Sequence, residues 1–343
     1  MEATSKPHAT QMSDGRPCPC DFVPRRWLHG GHLQTFAANY LPRVNKLPAA
    51  EERLFSVEPE VQILTLCNWQ ADRSSRTTLV IVHGLEGSSE SQYVIGTGNK
   101  AWAAGMNVVR MNMRNCGGSE RLARTLYNSS MSSDVAGVAR TLIEQDGLPA
   151  IGISGFSMGG NLVLKMVGEW GANAPEQVKA VVAISPAIDL ALSADALHES
   201  QNRIYEYGFL LGLYRSYGKK VRLYPDLYRR YPLLSIRKLR DFDDRITARH
   251  GGFKDADDYY YRAASARVID RITVPALIIH ALDDPFIRLS EETRTKILAN
   301  PNIRYIESEH GGHCAFLADP VGYDGRWSEK KIVEFVQEFA RTA

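Results

Sequence analysis

The chain has 343 residues, 44% of them apolar and 23% charged, with a formal net charge of +2 and five scattered cysteines. This composition fits a globular fold with a sizeable core, and it excludes both the broad basic footprint of a nucleic-acid binder and the disulfide framework of a small secreted scaffold. No run approaches the roughly 18 to 20 apolar residues that span a bilayer, and the opening MEATSKPHATQMSDGRPCPC lacks the apolar stretch of a secretory signal, so a cytoplasmic location is expected.

Residues 1–20 are polar and proline-dotted and are expected to be mobile; residues 21–343 read as a single domain. Short β-branched runs follow: TTLVIVHG at 77–84, NVVRMNMR at 107–114, PAIGISGF at 149–156, AVVAISPA at 180–187 and PALIIHAL at 275–282. Each is apolar on both faces, which predicts strands covered on both sides. Helix-like segments such as 131–145 and 158–170 lie between them, giving the alternation of a mostly parallel, doubly wound α/β sheet. From about 189 to 270 no sheet strand is evident, and a charged, tyrosine-rich helical block predicts a lid over the carboxyl ends of the strands. The final segment, SEKKIVEFVQEFARTA, starts at a capping Ser328 and puts Ile332, Phe335, Val336 and Phe339 on one helical face.

Gly155-Phe156-Ser157-Met158-Gly159 matches G-x-S-x-G between a strand-like and a helix-like segment, the context of a nucleophile elbow. A serine hydroxyl needs a base to take its proton and an acid to orient that base, in the chain order serine, acid, histidine. Downstream, LIIHALDDPFI offers Asp283 and Asp284 at a strand end, and SEHGGHCAF offers His310 and His313. His313 is the expected base and His310 a brace of its loop. The backbone N–H groups of Met158 and Leu85 are the expected donors to a tetrahedral oxyanion. His83, Gly84 and Phe156, on the two segments flanking them, are expected to touch substrate.

Together GGHLQT at 30–35, HGLEGSSESQY at 83–93, MRNCGG at 113–118, GFSMGGN at 155–161, GFKDADDYYYRAAS at 252–265, DDPF at 283–286 and GGHCAF at 311–316 resemble the YheT-like branch of the α/β-hydrolase superfamily, related to eukaryotic α/β-hydrolase-domain lipases. Asn115 replaces a glycine of the usual MRNCGG counterpart. The resemblance implies the α/β-hydrolase fold and hydrolysis of carboxylic esters, lipid or medium-chain acyl esters among them, by a serine, aspartate and histidine triad without cofactor or metal. In related hydrolases the triad acid lies four residues after the position of His280 and three before an apolar residue; Asp284, with Ile287, fits this spacing, and Asp283, with Phe286, is the alternative.

Thioester hydrolysis and acyl transfer share the same acyl-serine chemistry, and a non-catalytic binder that retains the elbow is the rival from another class. The paired HGGH stretches, His29 with His32 and His310 with His313, lack the spacing of a helical zinc site, and GTGNKA at 96–101 does not directly follow a buried strand. In the lid, Tyr205, Tyr207, Phe209, Leu210, Leu211, Leu213, Tyr214 and Tyr217 are expected to pack on the sheet domain and line an acyl tunnel. Lys219, Lys220, Arg222, Arg229 and Arg230, interleaved with Tyr224, Tyr228 and Tyr231, form a basic-aromatic rim suited to an anionic head group or a lipid surface. The expected partner is a small acyl ester, with no nucleic acid.

Overall fold

The computed structural model describes residues 16–231 and 235–340. Eight strands form one sheet: β1 (Glu51–Glu58), β2 (Val61–Asn68), β3 (Thr78–Val82), β4 (Asn107–Met111), β5 (Ile151–Phe156), β6 (Val178–Ile184), β7 (Ala276–Ala281) and β8 (Ile303–Ser308). Their spatial order is β1-β2-β4-β3-β5-β6-β7-β8, with β2 antiparallel to both neighbours and every other pairing parallel. The helices are α1 (Gly31–Tyr40), α2 (Gln92–Ala103), α3 (Ser132–Glu144), α4 (Met158–Trp170), α5 (Leu190–Leu197), α6 (Arg203–Leu223), α7 (Leu239–Phe242), α8 (Arg249–Gly251), α9 (Ala256–Ala263), α10 (Glu291–Ala299) and α11 (Trp327–Ala340).

Alternation along the strands divides the core between the two faces of the sheet. Val80 and Val82 of β3 join Val135 and Leu142 of α3 and Leu162 and Val167 of α4. Leu79 and Ile81 of the same strand join Val94 of α2 and Ile332, Phe335, Val336 and Phe339 of α11. The apolar face read from the C-terminal segment is therefore buried as expected, although its helix opens at Trp327, one residue before Ser328.

The hairpin β1–β2 escaped the sequence reading because β1 is largely exposed and carries Glu51, Glu52 and Arg53, so it has no apolar run. Its signal was the alternation Val61, Ile63, Thr65, Cys67 in β2, where one face is buried and the other partly exposed. Of the segment expected to be mobile, residues 1–15 lie outside the described residues. Cys18 is pinned to the edge of β8, its N–H donating to the Tyr305 carbonyl at 2.7 Å.

Between β6 and β7 the described chain runs through α5 to α9 with no strand, a helical insertion of which residues 232–234 are outside the described residues. It has its own apolar core, including Leu197, Leu210, Leu213, Tyr217, Phe242 and Tyr260. Among the described residues no helix is long and apolar enough to cross a membrane.

Candidate active site

β5 ends in a turn that the GFSMG segment alone makes feasible. Ser157 sits at φ 54°, ψ −117°, outside the regions that L-residues ordinarily occupy, and α4 starts at the next residue. Strain of this kind costs about 1–3 kcal/mol and persists only where surrounding structure imposes it. Here the imposing contacts are visible. A Cβ on Gly155 would lie 2.2 Å from the Gly159 carbonyl oxygen, and one on Gly159 would lie 2.3 Å from that of His83. The Ser157 N–H donates to the Ile184 carbonyl at 2.9 Å, locking the turn to the end of β6.

The loop after β8 carries His313. Its Nδ1 lies 2.8 Å from Oδ2 of Asp284, and Asp284 accepts the Phe286 and Ile287 amides on its other oxygen at 3.1 and 2.9 Å. Asp283 turns elsewhere: Oδ1 accepts the Gly312 N–H at 2.8 Å and Oδ2 lies 3.3 Å from His310 Nδ1. Asp284 is thus the carboxylate on the His313 ring, while Asp283 and His310 brace the loop that holds it. The GGHLQT segment joins this bracing. Thr35 accepts the His313 N–H at 2.9 Å, and Gln34 bonds both the N–H and the carbonyl of Leu317. The elbow and the histidine loop converge on one carbonyl, because Cys314 Sγ lies 3.6 Å from the same Ile184 oxygen that accepts Ser157 N–H.

Burial alone would raise the Asp284 carboxyl, but the His313 and His280 imidazoles and the Ile287 amide outweigh it and hold the group below its ordinary value. For His313, burial disfavours the charged ring, while Cys314, whose Sγ is 3.7 Å from Nε2, and the Asp284 carboxylate act the other way and raise it. Only the neutral ring can take a proton from serine, so activity is lost as pH falls through this raised value. We therefore expect kcat/KM to rise about tenfold per pH unit up to a midpoint above the ordinary imidazole value of about 6.5. The Cys314→Ala variant should keep turning over with a lower midpoint. A wild-type midpoint at or below 6.5 would contradict the raised value.

The expected oxyanion donors are placed as follows. Met158 opens α4, where the first N–H groups have no acceptor within the helix. Leu85 lies between two amides that are already engaged: Gly84 N–H donates to Tyr93 Oη at 2.9 Å and Glu86 N–H to Tyr127 Oη at 3.1 Å. Tyr127 in turn donates to Glu86 Oε1 at 2.6 Å, and Ser216 of α6 donates to Oε2 at 2.7 Å, so this loop is tied to the insertion. Tyr93 and Tyr127 were missed in the sequence because each reaches its loop through a tertiary contact with no short-range spacing.

His83, Gly84 and Phe156, expected to touch substrate, are not among the residues that line the cavity beside Ser157. Both nitrogens of the His83 ring are spent on backbone. Nε2 accepts the Met113 N–H at 3.0 Å, which leaves Nδ1–H to donate to the Gly84 carbonyl at 2.7 Å, and burial pushes the ring down to about 4. Phe156 is fully buried with its ring 4.6 Å from that of Tyr93, the residue that holds Gly84. All three support the Leu85 loop from behind.

Ser157, Met158 and Leu85 line a predominantly apolar cavity of about 110 Å³, closed on the other side by residues of the insertion such as Leu190, Leu197, Phe209, Leu213 and Phe242. The aromatic cluster of α6 therefore divides. Phe209, Leu213 and Tyr217 reach the cavity; Tyr205 stacks on His32 and Phe36 of α1; Tyr207 and Leu211 are exposed. The expected basic rim divides too. Lys220 is fully buried, donating to the Glu120 and Ala123 carbonyls, and burial pushes it down to about 8, so it is no part of a solvated rim. His29 and His310 approach with ring centroids 6.3 Å apart, and His32 Nδ1 lies 3.0 Å from Tyr205 Oη; among the described residues no group of three or more His, Cys, Asp or Glu side chains is arranged to hold a metal ion.

A sequence profile described as the alpha/beta hydrolase fold matches residues 77–320, which include the elbow, Asp284 and His313. The chain belongs to the α/β-hydrolase family. This α/β hydrolase is 30% identical to YheT of Escherichia coli (strain K12), which carries an esterase designation, over 93% of its own length and 94% of that protein. It is 27% identical to an abhydrolase domain-containing protein of Dictyostelium discoideum, over 93% of this chain and 81% of that one. It is also 25% identical to the mouse phospholipase ABHD3, over 78% of this chain and 65% of that one. Among solved structures, the Pyrococcus furiosus esterase Pf2001 shares the fold with a TM-score of 0.56 at 15% identity, covering 87% of this chain and 98% of that one. The relatives place the chain with hydrolases of the esterase and lipase type.

Proposed function

We propose that this α/β hydrolase cleaves carboxylic esters through an acyl-serine intermediate, with Ser157 as nucleophile, His313 as general base and acid, and Asp284 orienting the ring. The observation that carries the reading is the 2.8 Å bond from His313 Nδ1 to the buried Asp284, on a loop that meets the strained Ser157 turn at Ile184. Ser157 Oγ attacks the ester carbonyl carbon while His313 Nε2 takes its proton. The oxygen that gains charge is met by the Met158 and Leu85 amides. Collapse breaks the bond to the alcohol, which leaves with the proton held by His313. Water then attacks the acyl-serine with His313 again as base, releasing the acid and restoring the serine.

The insertion acts as a lid whose inner wall receives the acyl chain. An apolar lining with Phe209, Leu213 and Phe242 favours methylenes, each worth about 0.8 kcal/mol on burial. Across p-nitrophenyl esters of two to sixteen acyl carbons, kcat/KM should climb by up to roughly fourfold per methylene and turn down once the chain outgrows the cavity. A steady decline from the two-carbon ester would rule out the acyl cavity.

A further inference from the structure

The outward side of α6 has a composition that the cavity does not account for. Reading along the helix at intervals of three and four residues, the exposed positions are Ile204, Tyr207, Leu211, Arg215, Lys219 and Arg222. The first three are large and well exposed, at 61%, 60% and 51%. The last three are cationic. The only acidic residue on the helix, Glu206, is buried beneath it and is engaged by the Leu239 amide and His198. The solvent stripe of α6 is therefore apolar over its first half and basic over its second, where Lys219 is paired with Glu120 at 2.5 Å and Arg215 and Arg222 face no acidic side chain of α6. At the start of α6, α1 packs on Tyr205 through His32 and Phe36, and α1 exposes Leu33 beside them.

We infer that this stripe is a docking surface for an anionic lipid bilayer. Three exposed apolar side chains on successive turns form a patch that water solvates poorly, and the adjoining cations supply attraction to negatively charged head groups. Charge complementarity selects this occupant. A second copy of the chain docked two-fold on the same face would bring Arg215 and Arg222 of both copies into one interface with no acidic side chain of α6 to neutralise them, Lys219 alone being paired, with Glu120. The inner face of the same helix carries Phe209, Leu213 and Tyr217 to the cavity, so a docked bilayer stands about one helix diameter, roughly 10 Å, from the proposed acyl site. The inference extends the ester-hydrolysis reading to lipid esters held in a membrane, but it is read out by binding alone.

Co-sedimentation of the full chain with vesicles of phosphatidylcholine alone, and of phosphatidylcholine with 30% phosphatidylserine, tests it. The wild type should pellet with the anionic vesicles at low salt, at least tenfold more strongly than with the neutral ones, and be released as salt rises. The I204E/L211E double variant should lose that binding at least tenfold, while its circular dichroism and its hydrolysis of a soluble butyrate ester stay within twofold of wild type. R215E/R222E should lose the preference for anionic vesicles. The inference is overturned if the wild type stays in the supernatant with both vesicles, if I204E/L211E binds as wild type does, or if sedimentation velocity shows a dimer that I204E/L211E converts to monomer. Loss of butyrate hydrolysis in the wild type would sink the catalytic reading and leave the vesicle result standing on its own.

Discussion

Replacing Ser157 with alanine should leave a folded protein that lacks turnover. The methyl group differs little in volume from the hydroxymethyl group, and alanine bears the same Cβ that the φ of 54° already tolerates, so the thermal midpoint should move by no more than about 2 °C. Removing a nucleophile whose base and oxyanion donors are intact costs about 10⁴-fold or more in kcat, equivalent to about 5 kcal/mol of transition-state stabilisation. Steady-state hydrolysis of a soluble ester measures this, with calorimetry as the control on folding. A purified variant that retains a tenth of the wild-type rate would remove Ser157 from the mechanism.

The two adjacent aspartates should separate by orders of magnitude. In Asp284→Asn the side chain keeps its size, but it can no longer hold His313 in the tautomer that leaves Nε2 free to accept a proton, nor stabilise the imidazolium that forms; a kcat loss of about 10³–10⁴ is expected. Asp283→Asn keeps an oxygen for the Gly312 N–H and touches His313 only through the loop, so its loss should stay within about tenfold. Parallel kinetics on the two variants decide the assignment, and a larger loss at Asp283 would reverse it.

Much of this arrangement could be read along the chain because the relevant signals are local. β3 to β7 are almost wholly buried on both faces and so appear as short, mainly apolar runs, while the elbow is set by backbone approaches that only Gly155 and Gly159 permit. The parts that could not be read depend on contacts between distant segments. Asp283 and Asp284 are neighbours with the same chemistry, and only the path of the 310–316 loop decides which one meets His313. His83 resembles a substrate-facing histidine until Met113 N–H is seen to occupy its Nε2. Glu86, Tyr93 and Tyr127 carry no spacing that marks them, yet their bonds hold both sides of the Leu85 amide. α6 was legible as part of a charged, tyrosine-rich helical block but not in its division. Which of its aromatic side chains face the cavity, α1 or solvent depends on the placement of the whole insertion.

The central claim is that Ser157 is an activated nucleophile, and reaction with a fluorophosphonate tests it most directly, because the probe requires the hydroxyl, the base and the oxyanion donors together but no knowledge of the natural ester. Intact-mass and peptide mass spectrometry of the native protein should show one adduct per chain, located on Ser157, absent from the Ser157→Ala variant and strongly slowed in His313→Ala. Native protein that stays unlabelled, or that carries its adduct on another residue, would contradict the account.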